Sequence, residues 1–183
     1  VKKTSLPYFD GTETPRWQTF TYDSMGRAIQ ATNPDSTGVQ TCYKVGVVVG
    51  IDANGHRKRE TTNALGKLVK VEEYLGTFAT CTTDVGTPYA TTVYQYDILG
   101  NLRYVTDAEN NQTEMRYDTL GRKIFMHDPD MGDWTYAYDA NGNLKTQTDA
   151  KVKTITFNYD ELNRVTLKDY PTGTDVTYKY DKY

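Results

Sequence analysis

Aspartates recur at a fixed interval in the second half of the chain and are the first candidates for chemistry. Asp97, Asp118, Asp139 and Asp160 follow one another every 21 residues. Aligned along one edge of a stacked array, their carboxylates could bind cations or act as general acids and bases. Acid–base pairs need environments that separate their pKa values, whereas identical repeats provide identical environments. Turn capping, in which Asp accepts backbone N–H groups two residues on, is therefore the favoured interpretation.

A second acidic group, Asp128, Asp130 and Asp133 in DPDMGD, resembles a calcium loop. It lacks the other ligand positions and the bidentate Glu of an EF-hand, so a plain turn is favoured. Nucleophile elbows, P-loops and paired-cysteine motifs are absent from the sequence. We therefore expect no metal, no cofactor and no catalytic residue, and an enzyme is the least supported class of function.

A row of tyrosines precedes these aspartates: Tyr96, Tyr117, Tyr138, Tyr159 and Tyr180. Exposed aromatic rows can stack on sugar rings, which would make the chain a glycan-binding module. Aromatic side chains on one face of a sheet also pack on their neighbours, with each hydroxyl bonded to a polar partner. Packing is favoured, because every repeat needs a large residue at this position to stack.

The two cysteines, Cys42 and Cys81, flank the least regular part of the chain. Two are too few for a disulfide scaffold or a zinc cluster. In an exported protein they either form one disulfide or remain two free thiols.

The elements that hold these residues are short repeats built around tight turns. Asp opens each turn, and Gly three residues later supplies the positive φ that a following G1 bulge requires; Asn163 takes this place once. The copies YDSMGR, YDILGN, YDTLGR, YDANGN and YDELNR give the predicted turn residues Tyr22, Asp23, Gly26, Tyr96, Asp97, Gly100, Tyr117, Asp118, Gly121, Tyr138, Asp139, Gly142, Tyr159, Asp160 and Asn163. Two weaker copies are IDANGH at 51–56 and TNALGK at 62–67.

Alternating residues such as Ile155, Phe157 and Tyr159 indicate strands on both sides of each turn. A second turn follows midway through each unit, for example DAEN at 107–110. In DAKV at 149–152, Val152 stands where Gly is expected, which predicts a distorted turn or one of another type. One hairpin cannot bury its apolar face alone, so neighbouring hairpins must stack.

The sequence thus predicts an all-β fold of stacked antiparallel β-hairpin repeats of about 21 residues, forming a curved sheet or spiral. Residues 1–183 form a single array, interrupted by an irregular insertion at 77–92. Lys plus Arg total 21 against 24 for Asp plus Glu, which leaves no basic surface for nucleic acid. The longest apolar run is far shorter than the roughly 20 residues of a membrane span.

The motif YDxxGR/N, repeated every 21 residues, resembles the YD or RHS repeat of bacterial RHS proteins, insecticidal toxin complexes, wall-associated proteins and teneurins. The opening LPYF at 6–9 resembles the entry into such an array. The resemblance implies part of the wall of a hollow β-shell, secreted or at the bacterial cell surface. The implied partners are other repeats of a longer parent chain and an enclosed C-terminal toxin domain. The self-cleavage motif of the family has no match here.

Two hypotheses of function follow. In the first, the chain is a non-catalytic scaffold segment, internal to a large exported RHS-type protein. In the second, it is a cell-surface module that binds a glycan or a receptor protein through exposed aromatics or the 77–92 insertion. In either case, unpaired strand edges at the ends of the array predict dimerisation or aggregation.

Overall fold

The computed structural model describes residues 1–7, 14–81 and 86–181. Tyr8 and Phe9 of the LPYF opening, and residues 82–85 of the predicted insertion, lie outside these ranges. Within them, every regular element is a β-strand, and no helix is long and apolar enough to cross a membrane. The predicted all-β class is confirmed.

The chain divides into two compact units, one up to Val93 and the other from Tyr94 onward. The strands of the first unit are β1 (Lys2–Ser5), β2 (Trp17–Tyr22), β3 (Ala28–Thr32), β4 (Gly38–Lys44), β5 (Val47–Ile51), β6 (Arg57–Thr62), β7 (Leu68–Tyr74) and the start of β8 (Ala90–Tyr96). Those of the second unit are the rest of β8, then β9 (Leu102–Thr106), β10 (Gln112–Tyr117), β11 (Lys123–Asp128), β12 (Gly132–Tyr138), β13 (Leu144–Thr148), β14 (Thr154–Tyr159), β15 (Val165–Asp169) and β16 (Val176–Thr177).

In each unit the strands pair antiparallel with their sequence neighbours, so the order in the sheet is the order in the chain. This arrangement follows from short turns, because a strand that leaves a tight turn can only pair with the strand that entered it. The predicted stacked antiparallel hairpins are confirmed. Strand β8 begins at Ala90, so the last residues of the predicted insertion belong to a regular strand.

A β-bulge accompanies the tyrosine that precedes the turn. Ala137 pairs with Thr146, but the next residue, Tyr138, pairs with Leu144, so the returning strand contains one extra residue. The same shift occurs at Tyr22, Tyr117 and Tyr159. Because a bulge increases the local twist, its recurrence gives these hairpins the same local geometry.

The apolar core is concentrated in the first unit. The buried apolar residues among the described ones are Val49, Ile51, Val71 and Cys81. In the second unit, apolar side chains such as Phe157 and Leu167 are only half-buried. Contacts between adjacent strands therefore carry most of the stability of the second unit.

Candidate functional site

The repeated turn is the best-defined polar site of the chain. In the turn at Asp118, the N–H of Asp118 donates to the carbonyl of Arg122, and the N–H of Gly121 donates to the carbonyl of Asp118. Both donor–acceptor distances are 3.0 Å. The same two bonds close the turns that begin at Asp23, Asn33, Asp52, Asn63, Asp97, Asp107, Asp139, Asp149 and Asp160. One backbone geometry thus serves both the Tyr-Asp turns and several of the midway turns.

The aspartate side chain binds inside its own turn. Oδ1 of Asp118 accepts hydrogen bonds from the N–H groups of Leu120 and Arg122, each at a distance of 2.9 Å. Oδ2 accepts one from the Nε–H of Arg122 at 2.7 Å. Arg27 and Arg164 make the same contacts to Asp23 and Asp160. Since every oxygen already accepts a hydrogen bond, these carboxylates act as turn caps.

The fifth residue of the turn is a functional position that the sequence interpretation missed. It is Arg in YDxxGR and Asn in YDxxGN, and Nδ2 of Asn101 and Asn143 donates to Oδ2 of Asp97 and Asp139, respectively, over 3.0 Å. The available signal was the restriction of this position to side chains with an N–H donor.

Hydrogen bonding lowers the pKa of the turn aspartates. For Asp118 the largest cause is the backbone N–H of Arg122, followed among the lowering causes by the guanidinium of the same residue and the N–H of Leu120. The pKa of Asp160 is lowered in the same way through Arg164. These groups are anionic at neutral pH, which does not suit a general acid.

The position three residues after the turn aspartate adopts positive φ whether or not it is glycine. Gly26, Gly100, Gly121 and Gly142 have φ of 79, 87, 76 and 89°, and Asn163 has 59°. Val152 also lies there, at φ 58°, in a turn with the standard backbone bonds. The structure thus replaces the predicted distorted turn at 149–152 with a regular turn that holds a strained residue.

The tyrosine row binds the preceding repeat. The hydroxyl groups of Tyr138, Tyr159 and Tyr180 donate to the carbonyls of Lys123, Leu144 and Val165 over 2.8–2.9 Å, in each case 15 residues back. Burial raises the pKa of Tyr138 and Tyr159, so both hydroxyls stay protonated donors at neutral pH.

The turn arginine covers the ring of the next tyrosine. The guanidinium of Arg122 lies 4.6 Å from the ring centre of Tyr138, and that of Arg164 lies 4.3 Å from the ring centre of Tyr180. One arginine thus connects the aspartate of its own turn to the tyrosine of the following repeat. The structure favours packing over sugar stacking for these rings. The row is not uniform, however, because the hydroxyl of Tyr117 contacts the sulfur of Met115 instead.

The second acidic group also forms a turn. Oδ1 of Asp128 accepts the N–H groups of Asp130 and Met131, each over 3.0 Å, and its Oδ2 accepts the hydroxyl of Thr113. Asp133 does not join this turn; its Oδ1 instead lies 2.6 Å from Nδ1 of His127. In the part of the chain that the structure describes, no group of three or more His, Cys, Asp or Glu side chains is arranged to hold a metal ion.

Cys42 on β4 and Cys81 in the segment after β7 form a disulfide, with Cα atoms 5.9 Å apart. Cys81 packs with Val49, Ile51 and Phe78. The segment also donates the Phe78 N–H to the carbonyl of Gly55 over 2.9 Å, and its Ala79 carbonyl accepts Nε2 of Gln40 over 3.1 Å. The disulfide therefore fixes the start of the predicted insertion against the sheet of the first unit.

A cleft of about 600 Å³ lies in the first unit across β4 to β7. Its lining includes Val39, Gly50, Leu75 and Tyr89, and a Cβ added at Gly50 would lie 4.0 Å from the carbonyl oxygen of Gln40, an ordinary van der Waals contact. Tyr89, 69 % exposed, is the most accessible of the large aromatic residues that the structure describes. Lys58 and Glu73, cross-strand partners, provide charges at the cleft.

Comparison with known proteins agrees with this geometry. Residues 138–175 match the model of the RHS Repeat family. No curated protein matches the chain in sequence.

Among solved structures, the crystal structure of TcdB2-TccC3 without its hypervariable C-terminal region is similar with a TM-score of 0.69 and 19 % identity, over 85 % of this chain and 8 % of that one. A structure of the Tc holotoxin pore of Photorhabdus luminescens is similar with a TM-score of 0.66 and 18 % identity, over 87 % of this chain and 9 % of that one. The chain thus spans less than a tenth of these proteins, and at this identity the likeness shows the fold. Together, the repeated YDxxGR/N turns, the match of residues 138–175 to the RHS Repeat model and the likeness in fold support the YD/RHS-repeat interpretation.

Proposed function

We propose that this chain is a non-catalytic scaffold segment of a large exported RHS-type protein. In this proposal, its hairpins form part of the wall of a β-shell that encloses a toxin or a processed C-terminal domain. The partners are then the other repeats of the parent chain and the enclosed domain.

The observation that carries the proposal is the use of the repeated polar groups for contacts between repeats. The carboxylate of Asp118 caps its own turn, Arg122 links that turn to Tyr138, and the Tyr138 hydroxyl binds the carbonyl of Lys123. In the same way, Nδ2 of Asn143 in one turn donates to Oδ1 of Asn163 in the next over 2.8 Å. Groups that could do chemistry are engaged in joining one hairpin to the next, as a wall requires.

Two further observations support export of the parent protein and enclosure of a C-terminal domain. A disulfide between Cys42 and Cys81 is stable in oxidising compartments, which favours a secreted or surface protein. The similar TcdB2-TccC3 structure is described as lacking its hypervariable C-terminal region, so that protein has a variable C-terminal part.

The test is limited proteolysis of the longer parent protein, with the protected fragments identified by mass spectrometry. A C-terminal polypeptide that is protected and retained with the array supports the container. Loss of that polypeptide, with the array surviving alone, contradicts it.

A matched pair of wall variants makes the test specific. Gly121→Pro cannot adopt φ 76° and removes the N–H that closes the turn on the Asp118 carbonyl, whereas Leu120→Val changes an exposed neighbour in the same turn. The container predicts that Gly121→Pro exposes the C-terminal polypeptide to protease and that Leu120→Val leaves it protected.

A second candidate function is a binding module, and the cleft bordered by Tyr89 is the observation that favours it. An exposed ring beside the charged side chains of Lys58 and Glu73 suits a glycan or a peptide that offers an apolar face and hydrogen-bonding groups. Tyr89→Ala should abolish saturable binding in a glycan or receptor screen without unfolding the chain, while Tyr159→Ala should act through stability. Equal binding by wild type and Tyr89→Ala would exclude the cleft.

A further inference from the structure

The same four residues, Asp-Ala-Asn-Gly, form two of the repeated turns. One copy, at 52–55, is the DANG turn of the first unit, and the other, at 139–142, is the DANG turn of the second unit. These are also the two places in the sequence where glycine follows asparagine. In that dipeptide the side-chain amide is chemically unstable, because glycine has no side chain to hinder attack by its own backbone nitrogen.

The reaction at such a dipeptide is a deamidation that consumes only water. The backbone nitrogen of the glycine attacks Cγ of the asparagine, loses its proton, and expels the side-chain nitrogen as ammonia. The five-membered succinimide that forms is then hydrolysed at one of its two carbonyls. The product is either aspartate or isoaspartate, in which the main chain runs through the side chain and is one methylene longer.

A closed turn prevents this attack. In the second unit, the N–H of Gly142 donates to the carbonyl of Asp139 at 3.1 Å, and the N–H of Asn141 donates to Oδ1 of Asp139 at 3.0 Å. The DANG turn of the first unit has the same two bonds, at 3.0 and 2.9 Å, and both asparagines are exposed. The rate of deamidation at either site is therefore set by how often its turn opens.

The DANG turn of the first unit is covered by the strap, residues 75–81 after β7. The N–H of Phe78 donates to the carbonyl of Gly55 at 2.9 Å. A Cβ added at Gly55 would lie only 2.5 Å from Cγ2 of Thr77, so the strap packs closely on this turn. The disulfide fixes the end of the strap. Opening of this turn must therefore displace a segment that is covalently held.

The DANG turn of the second unit is held by side chains. A Cβ added at Gly142 would meet Nη1 of Arg122 at 3.8 Å, an ordinary contact with the end of a flexible side chain. Nδ2 of Asn143 donates to Oδ1 of Asn163 at 2.8 Å, in an exposed bond between two side chains. Because both contacts break by side-chain rotation, this turn opens more readily than the one beneath the strap.

We propose that Asn141 is a site of spontaneous deamidation to isoaspartate, and that the disulfide-held strap protects Asn54 from the same reaction. The consequence at Asn141 is structural, because an extra methylene in the main chain displaces Asn143 from Asp139. The bond from Asn143 to Asn163 in the next turn is then lost as well. Modification thus loosens the link between two hairpins, and it does so whether or not the array encloses another domain.

Ageing of the purified full chain tests the proposal. The chain is incubated in mildly alkaline buffer at physiological temperature, and isoaspartate at Asn54 and Asn141 is measured by mass spectrometry with electron-transfer fragmentation. In the folded chain it should form about tenfold faster at Asn141, because the strap adds a hydrogen bond and a packed methyl group over Asn54. In concentrated urea the two rates should be equal, since the four residues are identical. Equal rates in the folded chain, or a difference that persists in urea, would overturn the proposal.

Two variants test the protection by the strap. Cys42→Ser with Cys81→Ser releases the strap and should raise the rate at Asn54 about tenfold, while an unchanged rate at Asn141 shows that the second unit stays folded. Thr77→Ala keeps the disulfide, removes the methyl group that packs on the turn, and should raise the rate at Asn54 about fourfold. An Asn54 rate that neither variant raises contradicts the protection.

Discussion

Among the residues that the structure describes, Val152 departs furthest from the conformational preference of its residue type. It has φ 58° and is 82 % exposed, in a turn whose backbone bonds match those of the glycine-containing turns. A β-branched residue in the left-handed region is a true outlier, and a side chain this exposed gains little from packing. Val152→Gly should therefore stabilise the chain.

The magnitude follows from two opposing effects. An L-residue in the left-handed region costs about 1–2 kcal/mol, which glycine avoids. Glycine loses about 0.5–1 kcal/mol more backbone entropy on folding than a residue with a side chain. The difference of these ranges is about 0–1.5 kcal/mol, so the expected rise in the free energy of unfolding is centred on about 0.75 kcal/mol, or about 2–3 °C in Tm for a chain of this size.

Urea unfolding followed by circular dichroism, together with calorimetry, measures this change. Val45→Gly is the matched control, since Val45 is fully exposed in another turn and has no positive φ. It removes the same side chain without relieving strain, and should lower stability by about 0.5–1 kcal/mol. The reasoning is refuted if the two glycine substitutions shift stability in the same direction.

Three further predictions concern the disulfide, the tyrosine row and the turn carboxylates. Cys42→Ser with Cys81→Ser opens a loop of 39 residues and should lower the free energy of unfolding by about 3–4 kcal/mol. Urea unfolding against the oxidised wild type measures this change, and equal stability would mean that the disulfide adds nothing to the fold. Tyr159→Phe leaves the Leu144 carbonyl without its donor and should lower the free energy of unfolding by about 1 kcal/mol in the same assay. Tyr89→Phe removes an exposed hydroxyl and should leave stability unchanged. Equal effects of the two variants would contradict the role of the Tyr159 hydroxyl in joining adjacent strands. The turn aspartates have a lower pKa in the folded chain than in the unfolded chain, so their stabilisation is present above the unfolded pKa near 4 and is lost as pH falls through the folded pKa values. The free energy of unfolding, measured between neutral and acid pH, should decline in that window, and less steeply in Asp118→Asn. A flat profile would refute the capping role.

The repeated turns and strands could be predicted because their causes are local. Asp, Gly or Asn and the closing residue all lie within five positions, and alternation along a strand needs only its own residues. For the same reason the sequence indicated the all-β class, the antiparallel hairpins and the repeat family, each of which the structure or the comparisons confirm. The structure divides the chain into two compact units, and the single array over residues 1–183 stays a prediction.

The tertiary structure decided what depends on distant parts of the chain. The sequence left two alternatives for Cys42 and Cys81, and only the folding of the segment after β7 onto β4 and β5 brings these residues, 39 apart, into one bond. The sequence offered a choice between packing and ligand binding for the tyrosines, and only the stacking of hairpins places the Tyr159 hydroxyl on a carbonyl 15 residues earlier. Val152 shows the same dependence, because the pairing of β13 with β14 imposes a turn that its own preference opposes. Preferences within a few residues select the type of element, whereas pairing between strands determines which side chains meet and which local preferences are overruled.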